Sequence, residues 1–303
     1  MNRNPTFPLS LLLIILLSFS CFAQQNQSEV QNLKVMSYNI WNGFEWGKDT
    51  ERKAQCIDWI KSQKPDVLAL QELCGYTEEM LKEDALQWGH SYVQLLKTEG
   101  YPTALTSNRP IQLKERKVEG FWHGLLHCQT YGIDFYVVHL SPADAAFRLH
   151  EAQMITQRIQ ESQPDNFVIL GDFNATSPFD AQALENNDVL REKYRPKAAD
   201  AKHSNLRNGN FDYSTIAEFL ALPAVDLALN KVDLVTQGHT FPTPALIGKY
   251  NHTDKSIAEN RVRIDYILAN PELGNSCTSF KIFNQKETHG LSDHYPVMAE
   301  FKL

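Results

Sequence analysis

Cysteine is scarce in this chain. Its five cysteines are scattered, and none forms a Cys-x-x-Cys pair. That removes the usual thiolate zinc cluster. Long hydrophobic runs are missing too. The apolar stretch Leu9–Leu17 is too short for a bilayer span, which takes about 20 residues, and no later segment suffices. Positive charge is in the minority, with 29 Lys and Arg against 36 Asp and Glu and a formal net charge of −7. An acidic protein without a Lys/Arg run does not draw polyanions globally, so no stable nucleic-acid complex is expected from net charge, although a local basic groove is not excluded. No Ser or Cys nucleophile motif stands out, so a covalent intermediate has no evident carrier. Internal repeats and low-complexity segments are absent, and 43% hydrophobic residues in 303 suffice for a large core.

The chain opens with features of an address rather than a fold. Arg3 precedes the apolar stretch, and Cys21-Phe22-Ala23 forms a small-residue cleavage site before Gln24. Residues 1–23 read as a cleaved secretory signal, so the mature protein is expected to be secreted or periplasmic. The alternative is a lipoprotein signal that anchors the chain through Cys21, for which Ser18-Phe19-Ser20 is a poor lead-in. Loss of Arg3 with the signal takes the charge to −8. Cys56, Cys74, Cys128 and Cys277 remain. Export permits disulfides; Cys56 and Cys74 are the pair most readily brought together, and buried unpaired thiols are the alternative.

Leu33–Ile40 alternates and is rich in strand formers. Thr50 can cap a helix through Cys56, Ile57 and Ile60, which fall at helical spacing, and Pro65-Asp66 ends it. Val67–Gln71 reads as a short buried strand stopping at Glu72, and 77–88 as a second helix. Strands are expected at 91–97, 101–107 and 111–119, with a turn at Asn108-Arg109-Pro110. Two more follow at 121–129 and 132–140, the second ending at His139. A long helix spans 143–163, and a strand at 167–170 runs into Gly171-Asp172. Residues 178–230 mix helix and loop, and strands at 262–268, 278–283 and 297–301 complete the pattern. Strand–helix units interleaved with antiparallel runs indicate an α/β fold of two mixed β-sheets packed face to face and flanked by helices. No linker divides it, so one domain is expected over residues 30–303. The sequence carries no oligomerisation signal, and a monomer is expected.

Polar residues recur where the buried strands end: Asn39, Glu72, His139, Asp172 with Asn174, and Asp293 with His294. Asp265 sits within the apolar run Arg263–Leu268, costly for an acid unless it is paired or coordinated. Taken singly, each has a plain explanation. Glu72 is then an exposed acid, Asn39 a turn residue, His139 a structural histidine, and Gly171-Asp172-Phe173-Asn174 an Asx turn. Jointly these explanations fail, because unrelated accidents must all fall at the ends of buried segments. Strand ends are where layered α/β proteins gather ligands and catalytic groups. Carboxylate oxygens suit Mg2+, with Mn2+ or Ca2+ as alternatives. A phosphoester needs a cationic centre, an orienter for water and hydrogen bonds to developing charge, which these types supply. The expected partner is therefore a phosphate-ester substrate attacked directly by water.

In their order, Ser37–Trp41, Leu70-Gln71-Glu72, Val138-His139-Leu140, Gly171–Asn174, Arg263–Ile267 and Ser292-Asp293-His294 resemble the endonuclease/exonuclease/phosphatase family over roughly residues 30–303. The resemblance implies a four-layer α/β sandwich. It implies Glu72 as the main metal ligand with Asn39 and Asp293 near the ion, and Asp172 as the group that orients or deprotonates the attacking water. Asn174 would hold that water or the phosphate, His294 would bind phosphoryl oxygens with Asp265 fixing its ring, and His139 would contact the phosphate or assist the leaving group. In one branch of the family this histidine is paired with a carboxylate, which the sequence does not place. Specificity is expected in the 175–260 loops, where Thr240-Phe241-Pro242-Thr243 resembles a segment the family places near the site. A noncatalytic module binding a phosphorylated ligand is the rival reading.

Overall fold

The computed structural model describes Met1, residues 32–196 and residues 203–303. The expected secretory signal, with Cys21, lies outside the described residues. Among the described residues there are fourteen strands: β1 Asn32–Asn39, β2 Val67–Gln71, β3 Tyr92–Leu95, β4 Ala104–Ser107, β5 Gln112–Lys117, β6 Leu125–Thr130, β7 Ile133–His139, β8 Phe167–Asp172, β9 Leu206–Arg207, β10 Asn210–Phe211, β11 Val225–Asp226, β12 Asp265–Ala269, β13 Cys277–Ile282 and β14 Val297–Lys302. One six-stranded sheet has the order β13-β14-β1-β2-β4-β3 and the other β11-β12-β8-β7-β6-β5. Both are mixed. The β1–β2 and β7–β8 pairs are parallel and the other pairs in these sheets antiparallel.

The two-residue period of the strands builds the layers. Leu33 and Val35, Phe135 and Val137, and Val168 and Leu170 face one another in the core between the sheets. Their alternates point outward. Met36, Tyr38, Leu68 and Leu70 meet Cys56, Ile57 and Ile60 of the helix Thr50–Gln63 and Leu81 of the helix Glu78–Gln87. Tyr136, Val138, Phe167 and Ile169 meet Ile155 and Ile159 of the helix Ala145–Ser162 and Phe219 of the helix Ser214–Ala221. The result is helices, sheet, sheet, helices: the α/β architecture the strand pattern indicates.

Several boundaries differ from the sequence expectation. Asp49 rather than Thr50 caps the first helix, its carboxylate accepting from the Arg52 amide. The strand expected from residue 121 starts at Leu125, because residues 119–123 form bends and a turn after the β5 edge. The strand expected from 262 starts at Asp265. Arg263 donates from Nε to Asp180 at 2.9 Å, and only Val262 bridges, to Phe241. Asp265 therefore opens β12 instead of lying inside it. Cys56 and Cys74 are not bonded to each other; all four described cysteines are buried free thiols. Among the described residues no helix is long and apolar enough to cross a membrane.

Gly171 shows how tightly β8 is seated. Its φ is +141°, and an added Cβ would lie 2.0 Å from the Val138 carbonyl oxygen of the neighbouring strand. Gly171→Ala is expected to lower stability by about 2–4 kcal/mol, from backbone strain and overpacking together. Urea unfolding measures this; a midpoint equal to wild type contradicts the placement.

Candidate active site

Register brings the strand-end residues together. In one sheet His139 pairs with Asp172 across β7–β8, and Asp172 pairs with Asp265 across β8–β12, giving a row of three. In the other, Asn39 pairs with Gln71, so Glu72 follows directly. Ser37 pairs with Val297, which sets the Ser292–His294 segment beside the end of β1. All eight predicted residues thus lie at one end of the sandwich.

Asn39 joins the two sheets. Its Nδ2 donates to Glu72 Oε1 at 3.2 Å and to Asp172 Oδ2 at 3.1 Å, while its Oδ1 accepts from the Trp41 amide at 3.0 Å. The Asn42 amide donates to Glu72 Oε2 at 2.8 Å, so each oxygen of that carboxylate is oriented. The Asn174 amide donates to Asp172 Oδ1 at 2.9 Å, and its Nδ2 to the Leu140 carbonyl at 3.0 Å. Ser292 Oγ donates to the Asn39 carbonyl at 2.6 Å and ties the Asp293 segment to β1.

The two histidines face the same carboxylate in opposite charge states. His139 Nε2 lies 3.5 Å and His294 Nε2 3.7 Å from Asp172 Oδ2. His294 Nδ1 meets Asp265 Oδ2 at 2.9 Å. Burial alone would lower His294, but Asp265 and then Asp172 outweigh it and hold the ring well above its usual value. For His139, burial, His123 and His294 all act in one direction, and its ring is held neutral. Its Nδ1 has no hydrogen-bond partner among the described residues. Where one branch of the family pairs this histidine with a carboxylate, here the His123 ring stacks on it at 4.1 Å between centroids. Burial pushes the Asp172 carboxyl up to about 7 against the pull of His294. Burial likewise pushes Asp293 up to about 7, with the Glu72 carboxylate adding to the rise against His294.

Several supports were not legible in sequence. Residues 41–46 all take φ between +51° and +58°, a left-handed turn that L-residues rarely form. Arg52 clamps it, donating to the carbonyls of Ile40 at 2.8 Å, Trp41 at 3.0 Å and Leu291 at 3.0 Å, and stacking on Trp41 and Phe44. Glu151, fully buried, accepts from the Trp122 and Ser141 amides at 2.8 Å each and so fixes two walls of the site. Thr240 Oγ1 accepts from the Ile264 and Asp265 amides, and the Thr243 amide donates to the Asp293 carbonyl. The Thr240–Thr243 segment thus braces both acidic strand ends.

These residues surround an open cavity of about 410 Å³. Glu72, Asp293, Asp172, Asn174, His139 and His294 line it, and Asp265 stands behind His294. Its rim is aromatic, with Trp122 44% and Tyr250 72% exposed. Trp41 and Phe44 are buried, while Trp46 is exposed. Within the 175–260 loops, Phe241 and Tyr250 line this cavity.

Residues 36–294 match the model of the Endonuclease/Exonuclease/phosphatase family. The chain belongs to this family of nuclease- and phosphatase-type hydrolases. Its fold is similar to an AP endonuclease from Archaeoglobus fulgidus (20% identity, TM-score 0.65) and to a 3′ phosphatase from Neisseria bound to a product DNA hairpin (19%, 0.63), each over 89% of this chain and all of the other. A Caenorhabditis elegans protein of uncharacterised function is 29% identical over 104 residues, 34% of this chain and 31% of its own length. The match thus spans about a third of that relative.

The ring charges are directly measurable. In metal-free protein, His294 is expected to titrate above 6.5 and His139 below it, by histidine-detected NMR. Asp265→Asn should lower the His294 value; an unmoved value means that Asp265 does not hold the ring.

Proposed function

We propose that the protein is an exported, divalent-metal-dependent phosphoesterase in which an activated water attacks phosphorus directly. The observation that carries this reading is Asp172. It is a buried carboxylate oriented by Asn39 and Asn174 and faced by one charged and one neutral histidine, on one wall of a cavity that also carries Glu72 and Asp293. Export rests on residues 1–23 alone.

The donor chemistry fits a hard cation. Glu72 and Asp293 are half-buried oxygen donors whose mutual repulsion calls for a positive charge between them. Asp172, Asp265 and His294 also lie close enough to hold an ion. Binding one there would break the 2.9 Å bond between Asp265 and His294, so that trio reads better as a proton-holding unit. Glu72 and Asp293 would hold Mg2+, or Mn2+ or Ca2+, with Asn39 orienting Glu72. The ion would supply positive charge to the phosphate oxygens and to the leaving oxygen.

The chain's own groups do the rest. Asp172 accepts the proton of the attacking water at a carboxylate that burial has made more basic than usual. Asn174 steers that water. The charged His294, kept so by Asp265, donates to a phosphoryl oxygen as negative charge builds. Neutral His139 donates from Nε2 to a second oxygen, and His123 behind it supplies packing without adding charge.

Phosphodiester and phosphomonoester are both admitted by this arrangement. The acidic net charge and the exposed aromatic rim favour a small ester or headgroup over duplex nucleic acid. The first test measures hydrolysis of supercoiled plasmid, a phospholipid headgroup diester and small phosphomonoesters, with Mg2+ and with EDTA. At least one substrate should be cleaved with Mg2+ only. Asp172→Asn should cost roughly 10²–10⁴-fold in kcat with little change in melting temperature. Inertness on the whole panel contradicts an enzyme and returns the reading to a binding module.

Stability supplies a second test. Asp172 and Asp293 carry folded-state values of about 7, above the ordinary carboxylate value of about 3.9. Such groups stabilise the fold while protonated. Their contribution is full below about pH 4 and is lost as pH rises through about 7. Mg2+ binds the ionised carboxylates, so its thermal stabilisation is expected to be larger at pH 8 than at pH 5.5. Equal shifts at both pH values contradict Asp293 as a ligand.

A further inference from the structure

A second cavity, of about 220 Å³, adjoins the first and shares Asn174, His294, Phe241 and Pro142 with it. At about 30 Å³ of liquid volume per water, that is room for several waters or one small anionic group. Arg148 lines it. The side chain is 3% exposed; Nη1 donates to the Ser141 carbonyl and to Asn205 Oδ1 at 2.8 Å each, and Nε has no partner among the described residues. No carboxylate oxygen of a described residue lies within 4.0 Å of its nitrogens. The one acid among the described residues of the wall, Asp212, is occupied by Arg207 at 2.6 Å and Ser214 at 2.9 Å.

Two further groups complete the wall. Lys193 brings a second cation. The half-buried Tyr194 lies close enough to both Arg148 and the active-site Asp172 for each to act electrostatically on its hydroxyl. A buried guanidinium without a counter-ion is costly. Burial draws Arg148 below its usual value even against the distant pull of Tyr194, Asp212, Glu151 and Asp144, so its charge is under-compensated.

We infer that this cavity is a second anion subsite, which takes a phosphate or carboxylate carried by the same small molecule as the scissile phosphoester. The inference rests on the phosphoesterase reading above. The shared wall at Asn174 and His294 sets the geometry: the scissile phosphoryl sits in the larger cavity, and the second anion reaches past Tyr194 to Arg148 and Lys193. The substrate class is then a compact, doubly anionic phosphoester. A local pair of cations recognises such a molecule even though the protein as a whole is acidic, because an ion held at close range in a partly desolvated pocket outweighs a diffuse field.

The test compares α,ω-alkanediol bisphosphates of two to five carbons with the matched alkyl monophosphates, in the presence of Mg2+. One chain length is expected to show a KM lower by about tenfold, the worth of a charge-assisted hydrogen bond. In Lys193→Met that KM ratio should fall towards one. Ratios near one at every length in wild type, or a ratio untouched by the substitution, overturn the subsite. A 5′-phosphorylated dinucleotide against its unphosphorylated form is the control for source; an advantage found only there overturns the small-molecule class in favour of a nucleic-acid strand. If no ester is hydrolysed, the phosphoesterase reading fails on its own. The subsite is then read by calorimetric titration of propane-1,3-diol bisphosphate in EDTA: binding that Lys193→Met weakens retains it, and no binding overturns it.

Discussion

One amide holds this site together. Asn39 Nδ2 donates to Glu72 at the end of one sheet and to Asp172 at the end of the other, across 133 residues of sequence. The first bond depends on the parallel pairing of β1 with β2, the second on the packing of one sheet against the other, and both depend on register. A one-residue slip in any central strand would turn its inner face outward and carry its terminal polar group away from the cavity. The Leu33/Val35 and Val168/Leu170 alternations that fill the core are therefore also what aim Asn39 and Asp172 at each other.

Placing the polar groups at strand ends solves an energetic problem. Inside a sheet, Asp172 or Asp265 would be an uncompensated buried charge. At the mouth, each finds a donor: Asn39 and the Asn174 amide for Asp172, His294 for Asp265. The same low-dielectric setting separates two chemically identical imidazoles. Both face Asp172, but His294 is also bonded to Asp265 and is held charged, whereas His139 has a stacked histidine and is held neutral. The difference in charge between them follows from what each ring faces, with no difference in residue type.

The layered α/β architecture and the grouping of the eight polar residues were legible in the sequence because both rest on short-range signals: period-two alternation and polar residues where apolar runs stop. The left-handed turn at residues 41–46 was not, since no local propensity encodes six residues with positive φ and only Arg52, reaching to Leu291, holds it in place. His123 was hidden within a stretch that reads as strand but bends before β6. Glu151 looks like a surface position of a helix, yet it is fully buried because two loop amides need an acceptor. Arg148, one turn before it, was equally silent. A buried cation can be recognised only once the space it faces is known.

The pairing of β1 with β14 has a bearing on how the molecule is made. It joins residues 32–37 to residues 297–302, and Arg52 and Ser292 tie the same two regions again. A chain emerging stepwise from its amino end can form the hairpins of β5, β6 and β7 early, because their contacts are local. It cannot seat β1 on both flanks, relieve the left-handed turn or bring His294 to Asp265 until nearly three hundred residues are out. The grouping of Asn39, Asp265 and His294 is thus assembled only after the β14 segment has been made.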